Sequence, residues 1–126
     1  MNLPIVINSF FFNQLYPDGL NLDNSFINKL EFDYNGPSIY VYFNTKKMPS
    51  IIPKKWNITD NIVQIVLEFI EIEIINFSGW GVKNKSSVQF IDSEEKFICS
   101  ITGSEVDLKF YYKHIRINRI SSYREE

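Results

Sequence analysis

Catalysis by a protein nucleophile needs a base within hydrogen-bond reach, usually a histidine. The chain holds one cysteine, Cys99, and one histidine, His114. Cys99 shares a strand face with Phe97 and Ile101, so it reads as a small buried hydrophobe and not as an activated thiolate. His114 stands opposite Ile115 in Tyr111-Tyr112-Lys113-His114-Ile115-Arg116 and reads as an exposed strand residue. One cysteine and one histidine cannot build a zinc site of the usual multi-His or multi-Cys kind. Paired carboxylates can do acid–base work on glycosides. Glu71 and Glu73 share one strand face, and Glu94 and Glu95 sit in a turn, but such acids are routine on solvated faces. Gly79-Trp80-Gly81 lacks the following helix and lysine that a phosphate loop requires. The residue chemistry therefore leads us to expect no enzyme, no metal and no cofactor.

The composition places these residues in an ordinary folded domain. A chain of 126 residues is one domain on the usual prior. About two-thirds of its surface is buried on folding, enough for a core without disulfides. With 44% hydrophobic and 16% aromatic residues, it is too apolar for a disordered chain. The net charge of −2 argues against nucleic acid, which needs clustered Lys and Arg. Lys46, Lys47, Lys54 and Lys55 read as a solvated loop. No run of about 18 apolar residues occurs, so no membrane span is expected. The start lacks a basic n-region and a long apolar stretch, which points to the cytoplasm.

The chain has no alanine and nineteen isoleucines, a bias toward strands. Alternation predicts strands over about 28–33 and 38–44, joined at Asn35-Gly36-Pro37, a hairpin signal. Ile39, Val41 and Phe43 face one way, Tyr40 and Tyr42 the other. Met48-Pro49 and Ile52-Pro53 make 45–60 a connection, pinned by Trp56. The parity of the apolar residues flips after Phe69, which needs a turn or a bulge. We read two strands there, about 61–69 and 71–77, with one long bulged strand as the alternative. Strands follow at about 87–91, 96–102, 105–112 and 114–120, then a polar tail, 121–126. Ser9 is placed to cap a short helix over 10–16, with Phe10, Phe11 and Leu15, and Phe12 beside them, as its buried side. Arg116 is placed to pair with Glu71 or Glu73 across strands. The expected fold is mainly β, α+β at most. It is a single-domain antiparallel sheet of about eight strands, sandwich or barrel-like, with a short N-terminal helix.

The order of segments resembles one bacterial family. Asn35-Gly36-Pro37 leads into a strand, followed by Met48-Pro49 and Pro53-Lys54-Lys55-Trp56. Then come Ile62-Val63-Gln64-Ile65-Val66-Leu67-Glu68-Phe69, Ile74-Ile75-Asn76-Phe77-Ser78-Gly79-Trp80 and the ending Ile120-Ser121-Ser122-Tyr123. Over about residues 26–123 this resembles the immunity protein 50 family. Some relatives carry an Asp-Ala-Glu-like triplet where this chain has Asp23-Asn24-Ser25.

The resemblance implies an immunity protein of a polymorphic-toxin system. Such a protein binds the C-terminal domain of a secreted toxin encoded nearby and needs no chemistry of its own. Many toxin active sites are basic, so an acidic patch would steer and plug them. The candidate partner-binding residues are then Asp18, Asp23, Glu71, Glu73, Asp92, Glu94 and Glu95, with Trp80 as an aromatic contact. Outward Tyr40, Tyr42 and Tyr111 are further contact candidates. The chain is expected to be a monomer or weak dimer. Two other readings stay open, a non-catalytic β assembly module and a small-ligand-binding β-barrel.

Overall fold

The computed structural model describes residues 10–22, 25–79, 81, 85–92 and 96–125. One helix, α1 (Phe10–Leu15), precedes the strands β1 (Ser25–Asp33), β2 (Ser38–Thr45), β3 (Ile62–Ile70) and β4 (Glu73–Ser78). β5 (Lys85–Asp92), β6 (Phe97–Gly103), β7 (Asp107–Tyr112) and β8 (His114–Tyr123) follow. All eight strands join one antiparallel sheet in the order β4-β7-β6-β5-β1-β2-β3-β8. The mainly β expectation holds. The sheet is open, with β4 and β8 as its two edges.

The sheet rolls into two layers. Among the described residues β1 and β5 pair at Ser25↔Ser86 and Phe26↔Lys85, and this ladder is one corner. β3 lies near one end of the strand order and β7 near the other. Yet the Phe69 ring of β3 meets the Phe110 ring of β7 edge-on at 4.9 Å. It also reaches Tyr112 at 5.2 Å and Phe90 of β5 at 6.5 Å. At the second corner the chain switches layers twice, at Glu71-Ile72 from β3 to β4 and at Lys113 from β7 to β8. Such strand-switching corners are how orthogonal sandwiches are built.

Alternation fixes the faces where pairing is regular. In β2, Ile39, Val41 and Phe43 are fully buried while Tyr40 and Tyr42 face outward, as the sequence predicts. Asn35-Gly36 closes the hairpin, with Gly36 at φ +69° and the Asn35 amide donating to Asp33 Oδ1 at 2.9 Å. Among the described residues three bulges break the alternation. Asn28, Ile75 and Asn118 each stand as an extra residue against the neighbouring strand. The first keeps Ile27 and Leu30 on one face. The last does the same for Ile115, Ile117 and Ile120, so β8 runs on through Tyr123, into the stretch read as polar tail. The parity flip after Phe69 is a turn at Glu71, whose φ of 55° is rare for a residue with a side chain.

The helix is shorter than expected and buries a different side. Phe12 and Leu15 face the core, whereas Phe10 and Phe11 are exposed. Three-residue spacing stacks Phe12 and Leu15 on one face, and one and a half turns cannot bury all three consecutive phenylalanines. Ser9, the expected cap, lies outside the described residues. Tyr16, Leu20 and Leu22 continue the buried run after the helix. Trp56 is half-buried against the core, anchoring the 45–60 connection.

Two groups give this core a chemical readout. Burial pushes the Tyr16 phenol from 10.0 up to about 12, while its hydroxyl donates to the Lys47 carbonyl at 2.6 Å. The unfolded chain ionises near 10, so this contribution to stability is whole below that pH and lost as pH rises toward 12. Tyr16→Phe is expected to cost about 1 kcal/mol at neutral pH, from the lost hydrogen bond. It should also flatten the alkaline fall in urea midpoint. The Cys99 thiol is fully buried, and that burial raises its pKa well above the usual thiol value. A thiol reagent is expected to label it only as urea unfolds the chain. Labelling of the folded protein at the rate of a free thiol would contradict this core.

Candidate functional site

The corner where the chain switches layers twice is also a depression of about 790 Å³. Glu71, Ile72 and Glu73 form one wall, Tyr111 to His114 another, and Lys96 with Phe97 a third. The β1–β2 turn contributes Gly36 and Pro37. Backbone bonds lock the corner. The Lys113 amide donates to the Ile70 carbonyl and the Ile72 amide to the Pro37 carbonyl, both at 3.0 Å.

Charge at the corner comes in matched pairs. Lys113 Nζ lies 2.9 Å from Glu71 Oε2, and its hydrogen bond holds that carboxyl below the usual carboxylate range. Lys96 Nζ lies 3.4 Å from Glu73 Oε2 and 4.5 Å from the centre of the Tyr111 ring, a cation–π distance. Phe97 stacks on Tyr112 at 5.7 Å and stays exposed. Burial raises the Tyr112 phenol above the usual value, with smaller contributions from Cys99 and the nearby Asp92.

The structure thus brings Glu71, Glu73 and Asp92 to one end of the molecule. Asp18 stands elsewhere, in the turn after α1. Tyr16, two residues before it, bonds Lys47 just beyond the end of β2, while Pro37 at the other end of β2 lines the depression. Asp23, Trp80, Glu94 and Glu95 lie outside the described residues. Sequence reading did not bring Lys96, Phe97 and Lys113 together with Glu71 and Glu73, because only the tertiary corner gathers them.

A second polar surface covers the outer face of β1, β2, β3 and β8. Glu68, nearly buried, accepts from Arg116 Nε at 3.1 Å and from the Tyr40 hydroxyl at 3.2 Å. Arg116 does not pair with Glu71 or Glu73, because the β3–β8 register sets it opposite Glu68. Tyr42 donates to Glu31, which also pairs with Lys29 at 3.0 Å. These two bonds, Tyr42's first, hold the Glu31 carboxyl below its usual range. Asn44 links Gln64 and Tyr123 at 3.0 and 2.7 Å. This face is a mutually satisfied network.

Cys99 is sealed in the core while His114 is exposed at the rim of the depression. Neither is placed to act on the other. Among the described residues no group of three or more His, Cys, Asp and Glu side chains is placed to hold a metal ion. None of the described helices is long and apolar enough to cross a membrane. What the corner offers is a concave surface with both charge signs and part-exposed aromatic rings, the anatomy of a binding site.

A family model described as immunity protein 50 matches residues 8–123, which takes in α1 as well as the whole sheet. No curated protein and no solved structure matches the chain.

Proposed function

The chain belongs to the immunity protein 50 family, and from that premise we propose that it neutralises one cognate secreted toxin by binding the toxin's C-terminal domain stoichiometrically. The toxin is encoded beside it, and binding in the cytoplasm protects the producing bacterium without any reaction by the immunity protein. The observation that supports the site is the corner depression, where Phe97 and Tyr111 sit among Glu71, Glu73, Lys96 and Lys113.

A tight complex buries roughly 1,600 Å², and a few central aromatic or arginine contacts carry most of its energy. A concave corner accepts a convex loop of the partner. The two ion pairs then act in recognition. Each is more than half exposed, so neither is worth much to folding, and each can exchange its internal partner for one on the toxin. A partner with the wrong charge order is rejected, which gives specificity for one toxin. Asp92 adds an acid on the same side. Asp18, by its position, would contact only a partner that wraps around the molecule.

The test is co-expression in a heterologous bacterium with the C-terminal domain of the neighbouring large secreted protein. The proposal expects killing by the domain alone, rescue by this chain, and a one-to-one complex on co-purification. Killing without rescue or complex would overturn the reading for that pair. Rescue undiminished by Glu71→Lys with Glu73→Lys would remove those two acids from the interface.

A further inference from the structure

The two edges of the open sheet are not alike. Exposed edges are templates for pairing with another chain, and proteins blunt them with charges, bulges or covering loops. β8 carries Arg116 and Arg119, and its end is tied down. The Asn61 amide donates to the Tyr123 carbonyl at 3.1 Å, and the Asn61 side chain bonds the Glu125 backbone at 2.8 and 3.0 Å. β4 reads Glu73-Ile74-Ile75-Asn76-Phe77-Ser78, with every residue exposed and no charge after Glu73. Glu73 at its start and the bulge at Ile75 are what blunt the strand.

That bulge also sets which side chains share a face. Ile74 and Phe77 would point opposite ways in a regular strand. With Ile75 as the extra residue they point the same way, and the Phe77 ring meets Phe32 at 5.4 Å. Together with Tyr34 and Ile72 they line an apolar groove of about 380 Å³ at the open seam between the layers.

We propose that β4 pairs antiparallel with β4 of a second copy of this chain, about a two-fold axis. Such an axis requires opposed residues to share a face within one strand, and the bulge satisfies this for Glu73 with Ser78 and for Ile74 with Phe77. In that register the strand complements itself. Ile74 of each copy lies against Phe77 of the other, an aliphatic–aromatic cross-strand pair. Glu73, the only charge on β4, faces the Ser78 hydroxyl. A parallel in-register pairing would instead set Glu73 against Glu73, a destabilising contact. Each Phe77 also covers the groove of its partner, so the pairing buries apolar surface that a monomer exposes. The contact is isologous and closes at two copies. Six residues and one groove fall below the roughly 1,600 Å² of a standard interface, so the dimer is weak, about micromolar. β7 occupies the bonded edge of β4, which sets Tyr111 on the side away from the pairing edge, while Ile72 and Glu73 border both the depression and the pairing strand.

Sedimentation velocity of the full chain across about 1–300 µM tests this. The expected result is a reversible monomer–dimer equilibrium. Ser78 is exposed and outside the corner depression, and the two-fold repeats its contact with Glu73. Ser78→Glu should therefore weaken the dimer about tenfold and Ser78→Lys tighten it by a similar factor. Asp107 stands opposite Ser78 within one copy, so urea midpoints taken at the dilute end separate that internal effect from dimerisation. A monomer at every concentration, in Ser78→Lys as well as the native chain, would overturn the proposal. So would a dimer indifferent to the sign of charge at position 78. A monomer whose β4 amides become protected from exchange only in the toxin complex would overturn it too, and assign the edge to a strand of the toxin.

Discussion

Replacing Phe69 with alanine is expected to destabilise the chain by about 3–5 kcal/mol. The side chain is completely buried. Its ring is the point where the two layers meet, touching Phe110 edge-on at 4.9 Å, Tyr112 at 5.2 Å and Phe90 at 6.5 Å. Removing it deletes a buried ring and leaves a cavity between the layers that cannot close without moving both. It also removes three ring contacts, each worth a further fraction of a kcal/mol. Most domains are stable by only about 5–15 kcal/mol, so the variant should sit near the edge of folding at 37 °C. Urea unfolding followed by fluorescence measures the loss. A cost near that of an exposed substitution, below about 0.5 kcal/mol, would mean that the layers do not pack through Phe69.

Phe97→Ala with Tyr111→Ala is expected to weaken toxin binding by about two to three powers of ten while leaving the fold in place. Phe97 is 43% exposed, so its truncation removes little core. Tyr111 lies between the register partners Glu73 and Ile98, under the Lys96 ammonium. Aromatic side chains at the centre of an interface commonly cost 2 kcal/mol or more on truncation, and two neighbours compound that loss unevenly. Titration of the purified toxin domain into the variant, beside a urea midpoint, separates binding from folding. Unchanged affinity in a folded variant would move the interface off this corner, and the Tyr40–Glu68–Arg116 face would become the next surface to test.

The strands were legible wherever one face is buried and the pairing is regular. Ile39, Val41 and Phe43 alternate cleanly with Tyr40 and Tyr42 because β2 is paired on both sides throughout. The turn at Glu71 lay one residue from where parity placed it. Cys99 read as a buried hydrophobe and is one. The misreadings share a physical origin. Phe10 and Phe11 were assigned to the core on hydrophobicity alone, but a single short helix face holds only Phe12 and Leu15. Arg116 faces Glu68 and not Glu71 or Glu73 because its partner is set by the β3–β8 register and by a strand order that spans the whole chain. The corner itself was half visible. Glu71 and Glu73 stood out as a pair, but Lys96, Phe97 and Lys113 join them only because β3–β4 and β7–β8 change layer at one place. The exposure of Ile74 and Phe77 had no local signal either, since alternating apolar residues look the same in an edge strand and a central one.

The most direct test of toxin neutralisation at this corner is amide hydrogen exchange on the native chain, free and with one equivalent of the cognate toxin domain. The expected footprint is new protection at 71–73, 96–97 and 111–114, with the amides of β1, β2, β3 and β8 up to residue 70 and beyond residue 114 unchanged. A complex whose new protection falls on those strands and spares the corner would contradict the site. The absence of any complex with a toxin that this chain is required to survive would contradict neutralisation by binding altogether.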